Sequence, residues 1–97
     1  MGRYVYLCFV KWRESAHEKG YDYFVDTWFP RHERLCGEHG VELLRWGLPF
    51  GVEEDHIFIY ETDLTVAEFQ EFKGAVSHDS EERLWEYSKT IVVNCPS

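Results

Sequence analysis

An α+β domain with the element order β-α-β-β-α-β is the fold class this sequence predicts, on three observations. Four runs rich in β-branched and aromatic residues alternate at a period of two. Two longer stretches between them repeat at a helical period. The chain of 97 residues has room for one domain, spanning 1–97, and no second. This order is the split β-α-β, or ferredoxin-like, arrangement, which lays both helices on one face of a four-stranded antiparallel sheet.

Each element has its own signal. Tyr4 to Trp12 reads as the first strand, and Glu14 to Gly40 carries the first helical pattern. Val41 to Leu48 is the second strand, and "LPFGVEED", with Pro49 and Gly51, is a turn-rich connection. "HIFIYE", His56 to Glu61, is the third strand. Thr65 and Glu68 have capping-box spacing, with Leu64 and Phe69 as the hydrophobic staple, and Phe69, Phe72 and Val76 share one face of the helix behind them. Asp79 and Glu82 suggest a second helix start and "EERLWEYSK" a short further helix, before "TIVVNC" closes as the fourth strand, stopped by Pro96.

Composition narrows the partners. The formal charge is −8 and the basic residues are scattered, which argues against nucleic acid and anionic membranes. Cys8, Cys36 and Cys95 are an odd count without C-x-x-C spacing, so neither a disulfide framework nor a zinc site is indicated, and a reduced, cytoplasmic home fits. The opening "MGRYVYLCFVKW" reads as a strand rather than a signal peptide, and no stretch approaches the length of a membrane span. Five histidines show no close ligand pair, so no metal is expected. Haem would need only one imidazole and a pocket, and nothing in the sequence motivates it.

Strand alternation raises the question of what covers the sheet. Strand one sets Val5, Leu7 and Phe9 against Tyr4, Tyr6, Cys8, Val10 and Trp12, and strand three sets Ile57 and Ile59 against His56, Phe58 and Tyr60. Aliphatic side chains pack helices well, so the aliphatic set is expected beneath the helices and the aromatic set on the open face. Such a face is larger than a soluble monomer tolerates. A second copy packed on it would form a homodimeric α/β barrel with Tyr4, Tyr6, His56, Phe58 and Tyr60 at the interface. Single-stranded RNA is the rival, because RNA-recognition motifs share this order, but "EEDHIFIYE" lacks their Lys/Arg-Gly-Phe start and the domain is acidic. A different protein partner is the third candidate.

The first helical stretch carries the main chemical candidate. At roughly 100° per residue, Tyr21, Phe24, Val25, Trp28, His32, Leu35 and Cys36 fall on one stripe, and Pro30 falls opposite, where it would curve or break the helix. His32 therefore points inward, with an ordinary pKa suited to proton transfer at neutral pH. The plain alternative is a space-filling histidine bonded to a neighbour. Arg45 and Trp46 face opposite ways in an unknown register. An inward Arg45 would hold an anionic or phenolate substrate, whereas an outward one is a surface charge. Cys36 reads as a small buried apolar residue, Cys8 as its like on the other face, and Glu53-Glu54-Asp55 as a solvated acidic loop.

Phe24-x-x-x-Trp28-x-x-x-His32, in the first helix of such a chain, resembles the EthD-like branch of the dimeric α/β-barrel superfamily. The resemblance implies a small-molecule cavity between helices and sheet in each subunit with His32 and Trp28 on its wall; Phe24, Phe69 and Phe72 are expected to complete the lining, and His32 is the best acid/base candidate. It also implies a hydrophobic, aromatic or polyketide-like ligand and a cofactor-independent monooxygenase or isomerase-like reaction. Cyclase-like and stress-responsive members carry a Tyr on the second helix and a His just beyond it. "EFKGAVSH" offers Phe72 and His78 there, and Phe72 lacks the hydroxyl, so His78 is the lesser catalytic candidate. The competing expectation is a non-catalytic homodimeric stress-type or interaction module whose helix–sheet space is filled.

Overall fold

The computed structural model describes residues 3–95 of the chain. In chain order the elements are β1 (Arg3–Trp12), α1 (Glu14–His17), α2 (Gly20–Tyr23), a π-helical turn (Phe24–Trp28), α3 (Phe29–His39), β2 (Val41–Gly47), β3 (His56–Thr62), α4 (Val66–Val76), the two-residue strands β4 (His78–Asp79) and β5 (Glu82–Arg83), and β6 (Trp85–Cys95). β2, β3, β1 and β6 form one antiparallel sheet in that spatial order, and the helical segments lie on one of its faces. This is the ferredoxin-like order expected from the sequence. Pro96, the expected stop of the last strand, lies outside the described residues.

The first helical stretch is four segments rather than one helix. Gly20, at φ +85°, turns the chain between α1 and α2, a conformation other residues adopt only with strain. Pro30 has no N–H to donate to the Asp26 carbonyl four residues earlier. The turn before it widens, and the Phe29 N–H reaches back five residues to the Phe24 carbonyl. α3 then runs to a left-handed Gly40.

The helix after Thr65 begins as its sequence dictates. Thr65 Oγ1 accepts from the Glu68 N–H at 3.3 Å, and the Glu68 carboxylate accepts from the Thr65 N–H at 2.9 Å, a reciprocal cap. That backbone bond holds the Glu68 carboxyl below its usual range. Phe69, Phe72 and Val76 are fully buried from the same helix.

Three expectations are overturned. Residues 81–89 form no helix: β5 pairs with β4, and β6 extends back to Trp85. Helix propensity loses there because β1 is ten residues long and offers a pairing partner as far as Trp12, which sits opposite Trp85. The sheet faces are also inverted. Tyr6, Cys8, Val10, Trp12, Phe58 and Tyr60 are buried beneath the helices, with Tyr4 and His56 half-buried on that same face. Val5, Leu7, Phe9, Ile57 and Ile59 face the other way. The reason is polar as much as steric. The Tyr6 hydroxyl donates to the Leu64 carbonyl at 2.8 Å and Tyr60 meets His32, both supplied by the helical layer, while the Tyr6 ring stacks on Phe69 at 3.9 Å. Tyr4, Tyr6, His56, Phe58 and Tyr60 therefore do not form an exposed interface.

Nor is the acidic loop solvated throughout. The Glu54 side chain is buried, accepting from Tyr87 Oη at 2.7 Å and pairing with Lys89 Nζ at 3.0 Å. These bonds, Tyr87 first, lower the Glu54 pKa below the usual carboxylate value. Two donors that stay partly in water satisfy the buried carboxylate, which would be costly to bury unpaired.

Candidate functional site

The helical layer holds two histidine environments. His32, on α3, is fully buried. Its Nε2 lies 2.7 Å from Tyr60 Oη and 3.8 Å from Cys36 Sγ, and the Trp28 ring stacks on it at 4.6 Å. Its Nδ1 has no partner among the described residues. Burial disfavours the charged imidazolium and lowers its pKa to about 4, so the ring is neutral at pH 7. Burial likewise pushes the Tyr60 phenol well up and the Cys36 thiol up to about 12. Phe29, Phe58 and Phe72 close the remaining sides, so His32 fills the core rather than facing a ligand space.

The open space lies on the other side of Trp28. A cavity of about 600 Å³ sits among α1, α2, the π-helical turn and the adjoining strands, lined by Trp12, His17, Phe24, Trp28, Trp46 and His56 with Tyr21 and Leu48 at its margin. The widened turn ahead of Pro30 presents Phe24 and Trp28 to this space, and π-turns recur at functional sites for such re-aiming. Phe24 stacks on Trp28 at 5.3 Å and on His56 at 5.1 Å, with near-parallel rings in both pairs. Trp46 closes on Phe24 at 5.5 Å. The register shift between Leu43 and Arg45 decides the pair left open by the sequence: Trp46 lies opposite Phe58 on the helix side, and Arg45 opposite Ile59 on the outer face.

The polar groups of the cavity are ordered. Trp12 Nε1–H, which can only donate, gives its proton to His56 Nδ1 at 2.7 Å. The His56 proton is thereby fixed on Nε2. Burial lowers the His56 pKa, against the opposing pull of Asp55, so a neutral donor persists at pH 7. His17 Nε2 lies 3.3 Å from Asp55 Oδ2, which also accepts from the Trp12 backbone N–H at 3.0 Å.

Of the residues singled out from sequence, Phe24 and Trp28 line the cavity, while His32, Phe69 and Phe72 belong to the packed core beside it. His78 is elsewhere. Its Nδ1 lies 3.0 Å from the Gly74 carbonyl, and it borders a separate depression with Lys73 and Tyr87. His17, Asp55 and the cavity role of His56 were missed. The strand alternation that groups His56 with Trp12 contained the signal, since both turn inward once the face is inverted. Among the described residues no cluster of three or more His, Cys, Asp or Glu side chains could hold a metal ion, and no helix is long and apolar enough to cross a membrane.

No family model and no curated protein matches the chain. Its fold is similar to that of a solved structural genomics target, the RPA0582 protein of unknown function from Rhodopseudomonas palustris. The TM-score is 0.60 with 19% sequence identity, over 99% of this chain and 84% of that one. At that identity the likeness extends to the fold alone.

Proposed function

We propose that the chain binds a small, flat, largely apolar molecule in the aromatic cavity, as a member of the dimeric α/β-barrel superfamily. The observation that carries this reading is the cavity of about 600 Å³ walled by Trp12, Phe24, Trp28 and Trp46. Its size suits a small-molecule site, its rings offer stacking surfaces, and two histidines supply the few polar contacts that orient a ligand. A cofactor-independent monooxygenase or isomerase-like reaction would act on an aromatic or polyketide-like molecule of this kind. The sealed His32 favours the rival, a non-catalytic module, only for the part of the layer it occupies.

Tryptophan fluorescence tests the reading, because three indoles line the cavity and a nitroaromatic quenches them on contact. Titration with 4-nitroanisole is expected to give saturable quenching, weakened about tenfold or more, or roughly 1.4 kcal/mol, by Phe24→Ala and by Trp46→Ala. Non-saturable quenching in the wild type, unchanged in both variants, removes the proposal.

A homodimer is the second part of this reading, and the outer sheet face supports it. Val5, Leu7, Phe9, Ile57 and Ile59 share that face with Ile91 and Val93, which are exposed at 53% and 43%. A face so aliphatic, with no layer over it among the described residues, suits a second copy in two-fold contact. Sedimentation velocity is expected to give a dimer for the wild type and a monomer for Ile59→Glu. A wild-type monomer ends this part and leaves the cavity reading standing.

A further inference from the structure

The cavity has an apolar wall and a polar corner, and the corner is built asymmetrically. His56 can only donate there, because its Nδ1 is occupied by the Trp12 indole N–H at 2.7 Å. His17 is the opposite case. Its Nε2 is turned to Asp55 Oδ2 at 3.3 Å, so Nε2 is the nitrogen that donates and Nδ1 is the ring's acceptor. Asp55 is in turn held by the Trp12 backbone N–H at 3.0 Å and by Lys11 Nζ at 3.7 Å. A carboxylate that orients an imidazole and stabilises its cation is the arrangement that makes a histidine an effective base.

The rest of the lining adds no competing charge. Neither lysine nor arginine is among the lining residues, so a ligand that arrives as an anion finds no fixed cation there. Tyr23 borders the cavity, but its hydroxyl is turned to Asp79 at 2.5 Å. The groups facing His17 are thus Asp55 and, beyond it, Lys11 from β1, and His56 from β3, with Glu14 one turn back on its own helix.

We propose that the cavity takes a planar phenol or enol as the neutral molecule, that His17, oriented by Asp55, accepts its hydroxyl proton at Nδ1, and that the His56 Nε2–H donates to the resulting oxyanion. The ligand O–H bond breaks with its electron pair left on oxygen, and the proton forms an N–H bond on His17. The imidazolium so formed is paired with the Asp55 carboxylate, and the ring system of the ligand packs against the aromatic wall of Trp12, Phe24 and Trp46. No oxidant or reductant is involved, and the reverse transfer returns the ligand intact. The product is an electron-rich phenolate or enolate held in an apolar space, the reactive form for isomerisation or for attack on an electrophile. This rests on the cavity being a ligand site at all, as proposed above.

Two probes separate the claims. 4-Nitrophenol changes colour on ionisation, and 4-nitroanisole has the same shape without the proton. Bound at a pH below its own solution ionisation, 4-nitrophenol is expected to show the phenolate absorption in the wild type. In Asp55→Asn and in His17→Gln the ratio of phenolate to phenol in the bound ligand falls about tenfold, equivalent to one pKa unit. Saturable quenching by 4-nitroanisole in each variant verifies that its cavity is intact, and His17→Gln serves where Asp55→Asn does not fold. Wild-type protein that binds 4-nitroanisole but holds 4-nitrophenol as the neutral phenol overturns the proton transfer and leaves the cavity reading in place. Phenolate retained in both variants overturns the roles of His17 and Asp55. Failure of both probes to bind overturns the cavity reading and this inference together.

Discussion

His32 and His56 lie in the same helix–sheet layer, each beside Trp28 or its stacking partner, and they teach opposite lessons. His32 is buried on every side, with one ring nitrogen bonded to Tyr60 and the other unpartnered among the described residues. His56 has one nitrogen fixed by Trp12 and its ring on the wall of an open cavity. Burial lowers the pKa of both. A shifted histidine is therefore no guide to function by itself, and the space beside the ring is what separates packing from chemistry.

The sharpest way to break this comparison is to remove the ring shared by the two regions. Trp28 stacks on His32, lines the cavity, and donates its Nε1–H to the Val76 carbonyl at 2.9 Å. Trp28→Ala is expected to cost about 3–5 kcal/mol in urea unfolding and to abolish saturable 4-nitroanisole quenching. A loss below about 1 kcal/mol would mean that the layer is not packed as described.

Acid works against the buried neutral ring of His32. Its folded pKa of about 4 lies below the ordinary histidine value of 6.5, so between these values the unfolded state binds more protons. Stability contributed by the neutral ring is then present above pH 6.5 and is lost as pH falls towards 4, by up to about 3 kcal/mol. Chemical unfolding across this window is expected to slope in the wild type and to slope less steeply in His32→Leu, the remainder coming from His56. Equal slopes would place the linkage elsewhere.

A smaller effect separates a filled core from a catalytic pair. His32→Leu leaves the Tyr60 hydroxyl buried without its partner and is expected to cost about 1–3 kcal/mol, part of which the double variant His32→Leu/Tyr60→Phe recovers. Neither variant should change 4-nitroanisole affinity, which fluorescence titration reads directly. Smallest is the cap of α4. Thr65→Ala is expected to cost about 1 kcal/mol in thermal or urea unfolding and to leave probe binding untouched.

The sequence made the order of elements legible because each strand carried its own alternation and the Thr65–Glu68 cap its own spacing. It hid what depends on partners. Alternation divides His56, Phe58 and Tyr60 from Ile57 and Ile59 but does not say which set the helices cover. The buried hydrogen-bond partners that decide it, the Leu64 carbonyl for Tyr6 and the His32 ring for Tyr60, come from residues distant in the chain. The helical reading of residues 81–89 failed for the same reason, since the pairing of Trp85 with Trp12 spans most of the chain. Phe24 and Trp28 were found because they share a stripe; His17 lies on that stripe too, one turn before Tyr21, but its pairing with Asp55 is made only by the fold. Pro30 was visible as a break, but the widened turn it imposes, and the two rings that turn delivers to the cavity, were not.

Histidine side-chain NMR is the measurement to make first, with the imidazole ¹⁵N signals followed through a 4-nitroanisole titration. The His56 and His17 signals are expected to shift saturably while those of His32 stay fixed. Movement of His32 with His56 unchanged would contradict the division between the sealed and the open histidine, and would return the ligand site to the core.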